Sequence, residues 1–527
     1  MTAERKYPIG IQTFERVVQG GYLYVDKTDL VWQLAHYAPF VFLSRPRRFG
    51  KSLLSSTLHS YFAGQKELFE GLKIMELEQE WECYPVLHFD LSGAKHMPVK
   101  GVREELERLV REMEKTYGRD TGETTPGMRL AGLVNRAYEQ TGRQVAVIID
   151  EYDASLLDVL HEDGALRDMR EVMQEFYQRL KMLEPKIKFC FITGITRISQ
   201  LNIFSTLNNL TNVSLLPDFS AICGITAEEL NTLLHDDISL MAKAYGTTAD
   251  DMANRLKRRY DGYHFSHDCA DIYNPYSLLS AFANKRVSNY WFETGTPTFL
   301  IRMMKHFRFD ITGMDGIEAT DYSISRPTEA MTTVIPLLYQ AGYLTIKDYD
   351  READIYTLSV PNEEVRIGYA DGLLPVYVGL EGEDVQAGFA LKFWRALKKD
   401  DIHQALEEMK AYLAGIPYLE GFKKKLEEPS RAEGFYEYTM YLIFSMLNVY
   451  ARTQVKCAKG RTDIVVWMPN AIYVMELKVN DTAEAALRQI DERGYAKPFA
   501  TDGRKIVKVG IRFSPDTMTV ENWAIEV

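Results

Sequence analysis

The 527-residue sequence lacks the features that mark membrane-spanning, secreted and zinc-stabilised proteins. No apolar run reaches the roughly 18–20 residues that a helix needs to cross a bilayer. The opening MTAERKYPIG carries charges without an apolar core, so we expect no signal peptide. The five cysteines are scattered and form no CxxC pair, which favours a reducing compartment over a disulfide framework or a zinc site. We therefore expect a cytoplasmic protein with no membrane partner.

A surplus of basic residues is also missing, since the formal net charge is -12. This argues against general coating of nucleic acid, in which many cations replace the counterions of the phosphates. A local basic channel is still compatible with it, because global charge does not describe one cleft. Apolar residues make up 46% of the chain and charged residues 26%, an ordinary globular balance. The length predicts about three or four domains.

In the first two hundred residues, short apolar runs alternate with longer amphipathic segments. Near-continuous apolar runs are typical of strands buried on both faces of a parallel sheet. The predicted strands are 39–44, 85–92, 144–150 and 187–194, with helices at 101–117 and 165–184. This alternation predicts an α/β fold, a doubly wound parallel sheet, over residues 1–225.

The rest of the chain is predicted to contain four further segments. Thr226 followed by Glu229 is a capping-box start for a helix. The segments are a helical lid at 226–325, a winged-helix-like segment at 326–383, a helical connector at 384–430 and a mixed α/β domain at 431–527.

A phosphate-binding pattern follows the first predicted strand. Gly50, Lys51 and Ser52 match the end of G-x-x-x-x-G-K-[ST], whereas Arg45 replaces its first glycine. We expect backbone N–H groups and the helix dipole to face the phosphates, Lys51 to reach the β- and γ-phosphates, and Ser52 to ligate Mg²⁺. On its own, the pattern is equally consistent with an ordinary strand–turn–helix. The predicted nucleotide-contacting residues here are Arg45, Arg48, Phe49, Gly50, Lys51, Ser52 and Leu53.

Polar residues at the ends of two more strands strengthen the nucleotide prediction. Asp150 follows an apolar strand and is predicted to hold Mg²⁺ through water, and Glu151 to orient or deprotonate the attacking water. Carboxylates beside a buried strand are costly unless a cation or a function accompanies them. Thr193 and Arg197 end the next strand and could sense the γ-phosphate. Together the three strand ends predict an ATP–Mg²⁺ site.

Two short strands near the C-terminus form the second motif. Residues 460–467 and 471–478 are apolar runs, and 469–470 lie between them. If they form a hairpin about that tip, Asp463 lies directly opposite Glu476, with Cβ atoms about 4.5–5.5 Å apart. Two carboxylates this close repel unless a cation lies between them or one takes a proton. The pattern therefore predicts a Mg²⁺ (or Mn²⁺) site with both acids as ligands.

Lys478 lies two residues beyond Glu476, so both side chains project from one face of the strand. It is predicted to position the attacking water and to stabilise charge in the transition state. An aspartate followed thirteen residues later by E-x-K resembles the PD-(D/E)XK nuclease arrangement, with Thr462 in place of the proline. The alternative is a surface hairpin that carries a salt bridge.

Two flanking helices supply further candidates. Glu437 is predicted to be an extra metal ligand, and Gln489 matches the glutamine that often follows E-x-K in such nucleases. Both are also consistent with polar residues on a helix surface. Lys456, Lys459 and Arg461 precede the acidic strand and could contact substrate phosphates, although a solvated loop explains them equally well.

Several sequence blocks resemble the AAA-ATPase-like family of bacterial proteins, which often carries a C-terminal PD-(D/E)XK nuclease domain. The blocks occur in order: PIGIQTFE (8–15), YVDKT (24–28), RPRRFGKS (45–52), IIDEYD (148–153), YDGYHF (260–265), YNPYSLL (273–279) and NYWFETGTPTFL (289–300). The resemblance covers nearly the whole chain and implies an ATP-binding module and a metal-dependent nuclease. It also allows a homo-oligomer, because AAA-type modules often assemble into rings.

The leading prediction is an ATP-regulated nuclease that acts on nucleic acid, DNA more than RNA. The alternative is an ATP-dependent sensor with slow or no turnover, whose nuclease-like domain serves as a nucleic-acid clamp. Arg45 in the phosphate loop favours the sensor, whereas Glu151, Asp463, Glu476 and Lys478 favour the enzyme.

Overall fold

A computed structural model describes the chain in two compact units. Unit 1 contains Met1–Phe309 and Asp315–Asn362, and unit 2 contains Asp310–Met314 and Glu363–Val527. The described residues are 5–159, 162–196, 209–292, 300, 303–304, 307, 309, 314–324, 333–378, 385–415, 429–446, 450–514, 516–517 and 519–527. Among the helices in these ranges, none combines the length and apolarity that crossing a bilayer requires.

A parallel five-stranded sheet is the centre of unit 1; the sequence predicted the parallel sheet and four of these strands, but not the one at Thr211–Asn212. Its strands are β1 (Phe40–Ser44), β2 (Val86–Asp90), β3 (Val145–Asp150), β4 (Ile187–Gly194) and β5 (Thr211–Asn212). They pair in parallel in the order β2-β3-β4-β1-β5. Asp90 pairs with Asp150, and Ser44 with Gly194, so the polar strand ends meet at one edge of the sheet.

Helices connect these strands, which confirms the α/β prediction. They are α1 (Phe14–Gln19), α2 (Thr28–Tyr37), α3 (Lys51–Phe62), α4 (Ile74–Leu77), α5 (Val99–Tyr117), α6 (Pro126–Thr141), α7 (Ala154–Asp158) and α8 (Asp163–Tyr177). The predicted helix at 165–184 continues beyond α8 as a 3₁₀ helix, Gln178–Lys186, which contains Pro185. Pro185 lies near the end of this 3₁₀ helix and has no backbone N–H to donate there.

The second part of unit 1 packs short helices around its own apolar cluster. The elements are β6 (Ile225–Thr226), α9 (Ala227–Leu233), α10 (His235–Tyr245), α11 (Ala249–Tyr260), β7 (Ile272–Tyr273) and α12 (Pro275–Asn284). The predicted capping box is confirmed: Thr226 Oγ1 accepts from Glu229 N at 3.2 Å, and Glu229 Oε2 accepts from Thr226 N at 2.8 Å. Leu230, Met252 and Leu278 are buried in the cluster.

Unit 1 ends in a small antiparallel sheet. Its elements are β8 (Ile317–Ala319), α13 (Asp321–Ile324), α14 (Ile335–Gln340), β9 (Thr345–Asp350) and β10 (Ile355–Ser359), with strand order β8-β10-β9. Helix α14 and strands β9 and β10 lie within the segment predicted to be winged-helix-like, 326–383, but the third strand, β8, comes from before that segment. The division between units after Asn362 cuts through the segment as well. The five-segment division of the chain stays a prediction.

Unit 2 is a mixed sheet with five helices in its described part. The helices are α15 (Glu363–Val378), α16 (Val385–Lys398), α17 (Ile402–Ala414), α18 (Pro429–Met446) and α19 (Ala483–Arg493). The strands β11 (Tyr450–Cys457), β12 (Gly460–Trp467), β13 (Ala471–Lys478), β14 (Lys505–Ser514) and β15 (Thr519–Glu526) pair in that order. Only β13 and β14 are parallel in this sheet, and α19 makes the crossover that a parallel pair needs.

The hairpin of β12 and β13 has the predicted register. Ile464 pairs with Met475 and Trp467 with Ile472, on either side of the predicted tip. Asp463 and Glu476 lie one step beyond the last ladder pair. The backbone N–H of Leu477 bonds there to the Asp463 side chain, so this acid terminates the hairpin ladder.

Candidate nucleotide and metal sites

The phosphate loop of unit 1 connects β1 to α3. Gly50 has φ 90° and precedes the first residue of α3, so the loop turns there through a conformation that suits glycine. A Cβ atom placed on Gly50 would meet no atom of the described chain within 4 Å. The loop therefore leaves room beside a helix N-terminus, where backbone N–H groups bind anions.

Lys51 and Ser52 lie beside the acid at the end of β3. The Ser52 hydroxyl hydrogen-bonds to Asp150, so the two predicted Mg²⁺ ligands are brought together. Burial raises the pKa of Asp150 to about 6. The buried Lys51 Nζ donates to the carbonyl oxygens of Arg45 (3.0 Å) and Pro46 (3.1 Å), and burial lowers its pKa against the opposing charges of Glu151 and Asp150. Lys51 thus contacts its own loop.

Glu151, the predicted base, has a partner of its own. Its φ is 49°, an unusual value for a residue with a side chain, and its N–H donates to Asp150 Oδ1 at 2.9 Å. Lys95, which follows β2, places Nζ 2.9 Å from Glu151 Oε2. Activation of water by Glu151 would require this ion pair to weaken.

At the end of β4, Thr193 is fully buried and its hydroxyl donates to the carbonyl of Leu43 at 2.7 Å. To sense the γ-phosphate as predicted, the Thr193 hydroxyl would have to give up its hydrogen bond to Leu43 inside the sheet. Arg197 lies outside the described residues. Asp153, which the sequence reasoning missed, accepts from Ile195 N (3.0 Å), Thr196 N (2.6 Å) and the Thr196 hydroxyl (2.8 Å). The sequence feature that could have revealed Asp153 is its place as the third acid of IIDEYD (148–153).

The guanidinium of Arg45 is buried in unit 1. It donates to the carbonyl oxygens of Ser44 (2.9 Å), Ser214 (2.9 Å) and Phe219 (2.8 Å) and lies 4.3 Å from the ring centroid of Phe265. The residue that replaces the first glycine of the motif therefore holds the loop to distant segments. A phosphate contact by this side chain would require those hydrogen bonds to break, so nucleotide binding here is expected of the loop backbone.

Arg48 and Phe49 attach the same loop to the second part of unit 1. Arg48 Nη1 donates to the carbonyl of Tyr290 at 3.0 Å, and its guanidinium lies 3.7 Å from the Tyr276 ring centroid. Phe49 is buried edge-on against Tyr263, with centroids 4.8 Å apart, and also contacts Phe265. Leu53 is half-buried in the first turn of α3. The conformation of the loop thus depends on residues more than 200 positions away.

Unit 2 gathers its predicted acids at the open end of β12 and β13. Asp463 Oδ2 accepts from Leu477 N at 2.7 Å. Glu476 is 2% exposed, and its Oε2 is buried without a hydrogen-bond partner among the residues that the structure describes. Burial, followed by the charge of Asp463, raises the pKa of Glu476 to about 8. Burial also raises the pKa of Asp463. Two carboxyl groups that both resist ionisation form a site that a cation would stabilise.

Two predicted partners contact the other oxygen of Glu476. Lys478 Nζ lies 3.4 Å from Oε1, and Gln489 Nε2 donates to the same atom. Gln489 Nε2 also lies 3.5 Å from the hydroxyl of Tyr495. The structure therefore brings Asp463, Glu476, Lys478 and Gln489 together, and their roles in binding and catalysis stay predictions.

Glu437 joins this group through a residue that the sequence reasoning missed. Gln454, in β11, donates from Nε2 to Glu437 Oε2 at 2.9 Å, and its side chain also hydrogen-bonds to Asp463. Gln454 has φ 50°, which marks a local irregularity of the strand. The charge of Glu433, one turn before Glu437 in α18, contributes to the raised pKa of Asp463. No sequence pattern signalled the role of Gln454, because this residue reaches Asp463 through the pairing of β11 with β12.

The donor set fits a hard divalent cation. Within the described ranges, no group of three or more His, Cys, Asp or Glu side chains is arranged to hold a metal ion by itself. Mg²⁺ does not require such a group, because one or two carboxylates with waters and phosphate oxygens complete its shell. The buried Glu476 Oε2, close to Asp463, is the kind of oxygen that such an ion would engage.

Comparisons with known proteins agree with this division. The family model described as a predicted AAA-ATPase matches residues 8–204, and the model described as the PD-(D/E)XK nuclease superfamily matches residues 431–523. A protein of Azotobacter chroococcum mcd 1, named "Uncharacterized protein in vnfD 5'region", is 30% identical over 530 residues, which cover 99% of each chain. The chain therefore belongs to the AAA-ATPase-like family and carries a PD-(D/E)XK nuclease superfamily domain at its C-terminus.

Proposed function

We propose that this protein binds ATP in unit 1 and uses it to regulate a metal-dependent nuclease in unit 2 that cleaves DNA more readily than RNA. The observation that carries the proposal is the buried Glu476, with its raised pKa, beside Asp463, Lys478 and Gln489. A carboxyl group in this position is costly to ionise without a cation. Its surroundings therefore support a catalytic metal site over a surface salt bridge.

The residues of unit 2 divide the chemistry of phosphodiester hydrolysis among them. A bound Mg²⁺ or Mn²⁺ would be held by Asp463 and Glu476 and would polarise a phosphate oxygen. Lys478 offers a positive charge to the developing negative charge of the phosphate and a contact for the attacking water. Gln489 holds Oε1 of Glu476, which leaves Oε2 for the ion. Glu437 is positioned through Gln454 beside Asp463.

The residues of unit 1 support a nucleotide-dependent change. Ser52 and Asp150 would hold the Mg²⁺ that accompanies ATP. To meet the phosphates, Lys51 must leave the carbonyls of Arg45 and Pro46. Nucleotide binding would therefore exchange hydrogen bonds inside a loop that Phe49 and Arg48 connect to the second part of the unit. Such an exchange is a physical basis for regulation.

A second candidate function has its own support. The ion pair of Lys95 with Glu151 and the bond of the Thr193 hydroxyl to Leu43 occupy two groups that hydrolysis would use. These contacts favour an ATP-dependent switch with slow or no turnover, whose unit 2 binds nucleic acid without cutting it. We also propose that the protein assembles into a homo-oligomer, as the family allows. We further propose a cytoplasmic location, which the free cysteines favour.

The test is cleavage of plasmid, single-stranded DNA and RNA by the full chain with Mg²⁺ or Mn²⁺, with and without ATP. We expect metal-dependent cleavage of DNA that ATP changes and that Asp463→Ala and Glu476→Ala each reduce by at least about a hundredfold, as loss of a main electrostatic catalyst does. The exposed Glu492→Ala is the matched control and retains activity. Equal cleavage by wild type and both variants would overturn the nuclease assignment. Nucleic-acid binding without cleavage would favour the switch.

A further inference from the structure

Unit 1 contains a cysteine, a histidine and an aspartate that neither proposed site uses. They lie between α11 and β7, in and after the block YDGYHF. His264 Nδ1 is 3.2 Å from Asp271 Oδ1, and the side chains of His264 and Cys269 hydrogen-bond to each other. Cys269 is half-buried, and the side chains of His264 and Asp271 are 21% and 44% exposed. The group is therefore open to small reagents.

The contacts favour a charged pair over a neutral one. The hydrogen bond to Asp271 and then that to Cys269 raise the pKa of His264 to about 9. Burial works to raise the pKa of Cys269, but the hydrogen bond and charge of His264 outweigh it and lower that pKa. In the neutral form the Cys269 thiol donates to the Ser266 carbonyl at 3.6 Å, a weak contact that is lost on ionisation. A thiolate next to an imidazolium is the arrangement that makes cysteines reactive.

This cluster is connected to the phosphate loop by its neighbours in sequence. Tyr263 and Phe265, on either side of His264, pack against Phe49, and Phe265 lies under the guanidinium of Arg45. Thr345 fixes the backbone of His264 on both sides, accepting from its N–H at 2.8 Å and donating to its carbonyl at 3.1 Å. Because Tyr263 and Phe265 flank His264 in the chain, movement of His264 would displace both of their rings, which hold the phosphate loop.

We infer that Cys269, His264 and Asp271 form a modification site, whose thiolate reacts with peroxides and other soft electrophiles ahead of the more exposed Cys83 and thereby loosens the phosphate loop. With hydrogen peroxide, the Cys269 sulfur attacks one oxygen and the O–O bond breaks. The sulfur is oxidised to sulfenic acid and the peroxide is reduced. The leaving hydroxide takes the proton of the His264 imidazolium and departs as water.

The reactivity is tested by alkylating the full chain with iodoacetamide at pH 7 and following each cysteine by mass spectrometry. A lower thiol pKa raises the thiolate fraction at pH 7 more than it lowers the nucleophilicity of the thiolate, so alkylation becomes faster. We expect Cys269 to react measurably faster than Cys83, although Cys83 is the more exposed of the two. His264→Gln and Asp271→Asn should slow Cys269 and leave Cys83 unchanged.

Buried Cys190 and Cys223 report whether a variant stays folded, because they should remain unreactive. If Cys190 and Cys223 become reactive in His264→Gln, that variant has unfolded and is set aside. The test then rests on the rates of Cys269 and Cys83 in wild type and on the Asp271→Asn variant. The site is overturned if Cys269 reacts no faster than Cys83, or if a folded Asp271→Asn variant reacts like wild type.

The link to the loop rests on the proposed nucleotide binding and has its own readout. Peroxide treatment should weaken ATP binding by wild type severalfold and leave Cys269→Ser unaffected. Equal loss in both proteins would overturn the link. Absence of ATP binding by untreated wild type would instead count against the function proposed for unit 1, without affecting the alkylation result.

Discussion

The two candidate sites differ in how their charged groups are satisfied before any ligand arrives. In unit 1, Lys51 bonds to carbonyls of its own loop, and Glu151 pairs with Lys95. In unit 2, Glu476 is buried beside Asp463, and Oε2 has no hydrogen-bond partner within the described chain. The chain itself thus satisfies these charged groups of unit 1, whereas the buried Glu476 carboxyl of unit 2 keeps one oxygen without a partner among the described residues.

This difference assigns different roles to similar residue types. A ligand of unit 1 must replace internal hydrogen bonds, so its binding carries a conformational change to the loop. Under the proposed function, a cation in unit 2 would displace no hydrogen bond of Glu476 Oε2 among the described residues and would relieve a repulsion between carboxylates. We therefore expect the proposed nucleotide switch in unit 1 and the proposed cleavage in unit 2.

Of three further effects that compare the two units, the largest is expected for the lysine of unit 1. Lys51→Ala removes a charge-assisted contact with phosphate of about 1.5–3 kcal/mol, so we expect ATP affinity to fall about 10–100-fold. The metal affinity of unit 2 should not change, because its ligands are separate. Fluorescent-nucleotide titration measures the loss, and Lys66→Ala, in a 3₁₀ helix after α3, is the control. Unchanged ATP affinity would place the nucleotide elsewhere.

An intermediate effect is expected on the stability of unit 2 as pH changes. Below about pH 4.5 the Glu476 carboxyl is protonated in both the folded and unfolded chain and adds no penalty. As pH rises towards about 8, the unfolded chain loses this proton first, so the folded state is progressively destabilised. Glu476→Gln removes that penalty. At pH 8 without metal, the melting temperature of unit 2 should rise, by about 2–4 °C for each kcal/mol relieved.

Hydrogen exchange is measured at a series of temperatures in peptides that cover residues 460–478. These peptides report the unfolding of unit 2 separately from that of unit 1. The exposed Glu492→Gln is the control and should behave like wild type. Mg²⁺ should stabilise wild type more at pH 8 than at pH 5 and leave Glu476→Gln unaffected. The comparison between the sites would fail if the variant were no more stable than wild type at pH 8.

The smallest expected effect concerns the ion pair of unit 1. Lys95→Met frees Glu151 from its partner, so we expect ATP hydrolysis to rise a few-fold at unchanged ATP affinity. Steady-state phosphate release measures the rate, and Lys100→Met in α5 is the matched control, since Lys100 forms an ion pair with the exposed Glu104. A fall in the rate would show that Lys95 takes part in the reaction itself.

The parts that the sequence predicted well depend on local rules. Four of the five strands of the parallel sheet follow from apolar runs, and the register of β12 and β13 follows from the placement of the hairpin tip at 469–470. The capping box of Thr226 and Glu229 is a contact over three residues. These features need no knowledge of how distant segments pack.

The parts that the sequence did not predict depend on distant contacts. The guanidinium of Arg45 bonds to Ser214 and Phe219, about 170 positions away, so a residue expected to face nucleotide is part of the interior. Gln454 reaches Asp463 only because β11 lies beside β12. Asp153 acts through the loop after β4, which the strand pattern alone does not position.

Titration of Mn²⁺ into the full chain by calorimetry, without nucleotide, directly tests whether the carboxylates of unit 2 bind a cation. An Asp150→Asn background removes the carboxylate predicted to hold a cation in unit 1, so binding reports unit 2. We expect one saturable site in Asp150→Asn that is lost when Glu476→Gln is added. Equal Mn²⁺ binding by the single and double variants would contradict a cation site at the buried carboxylates of unit 2.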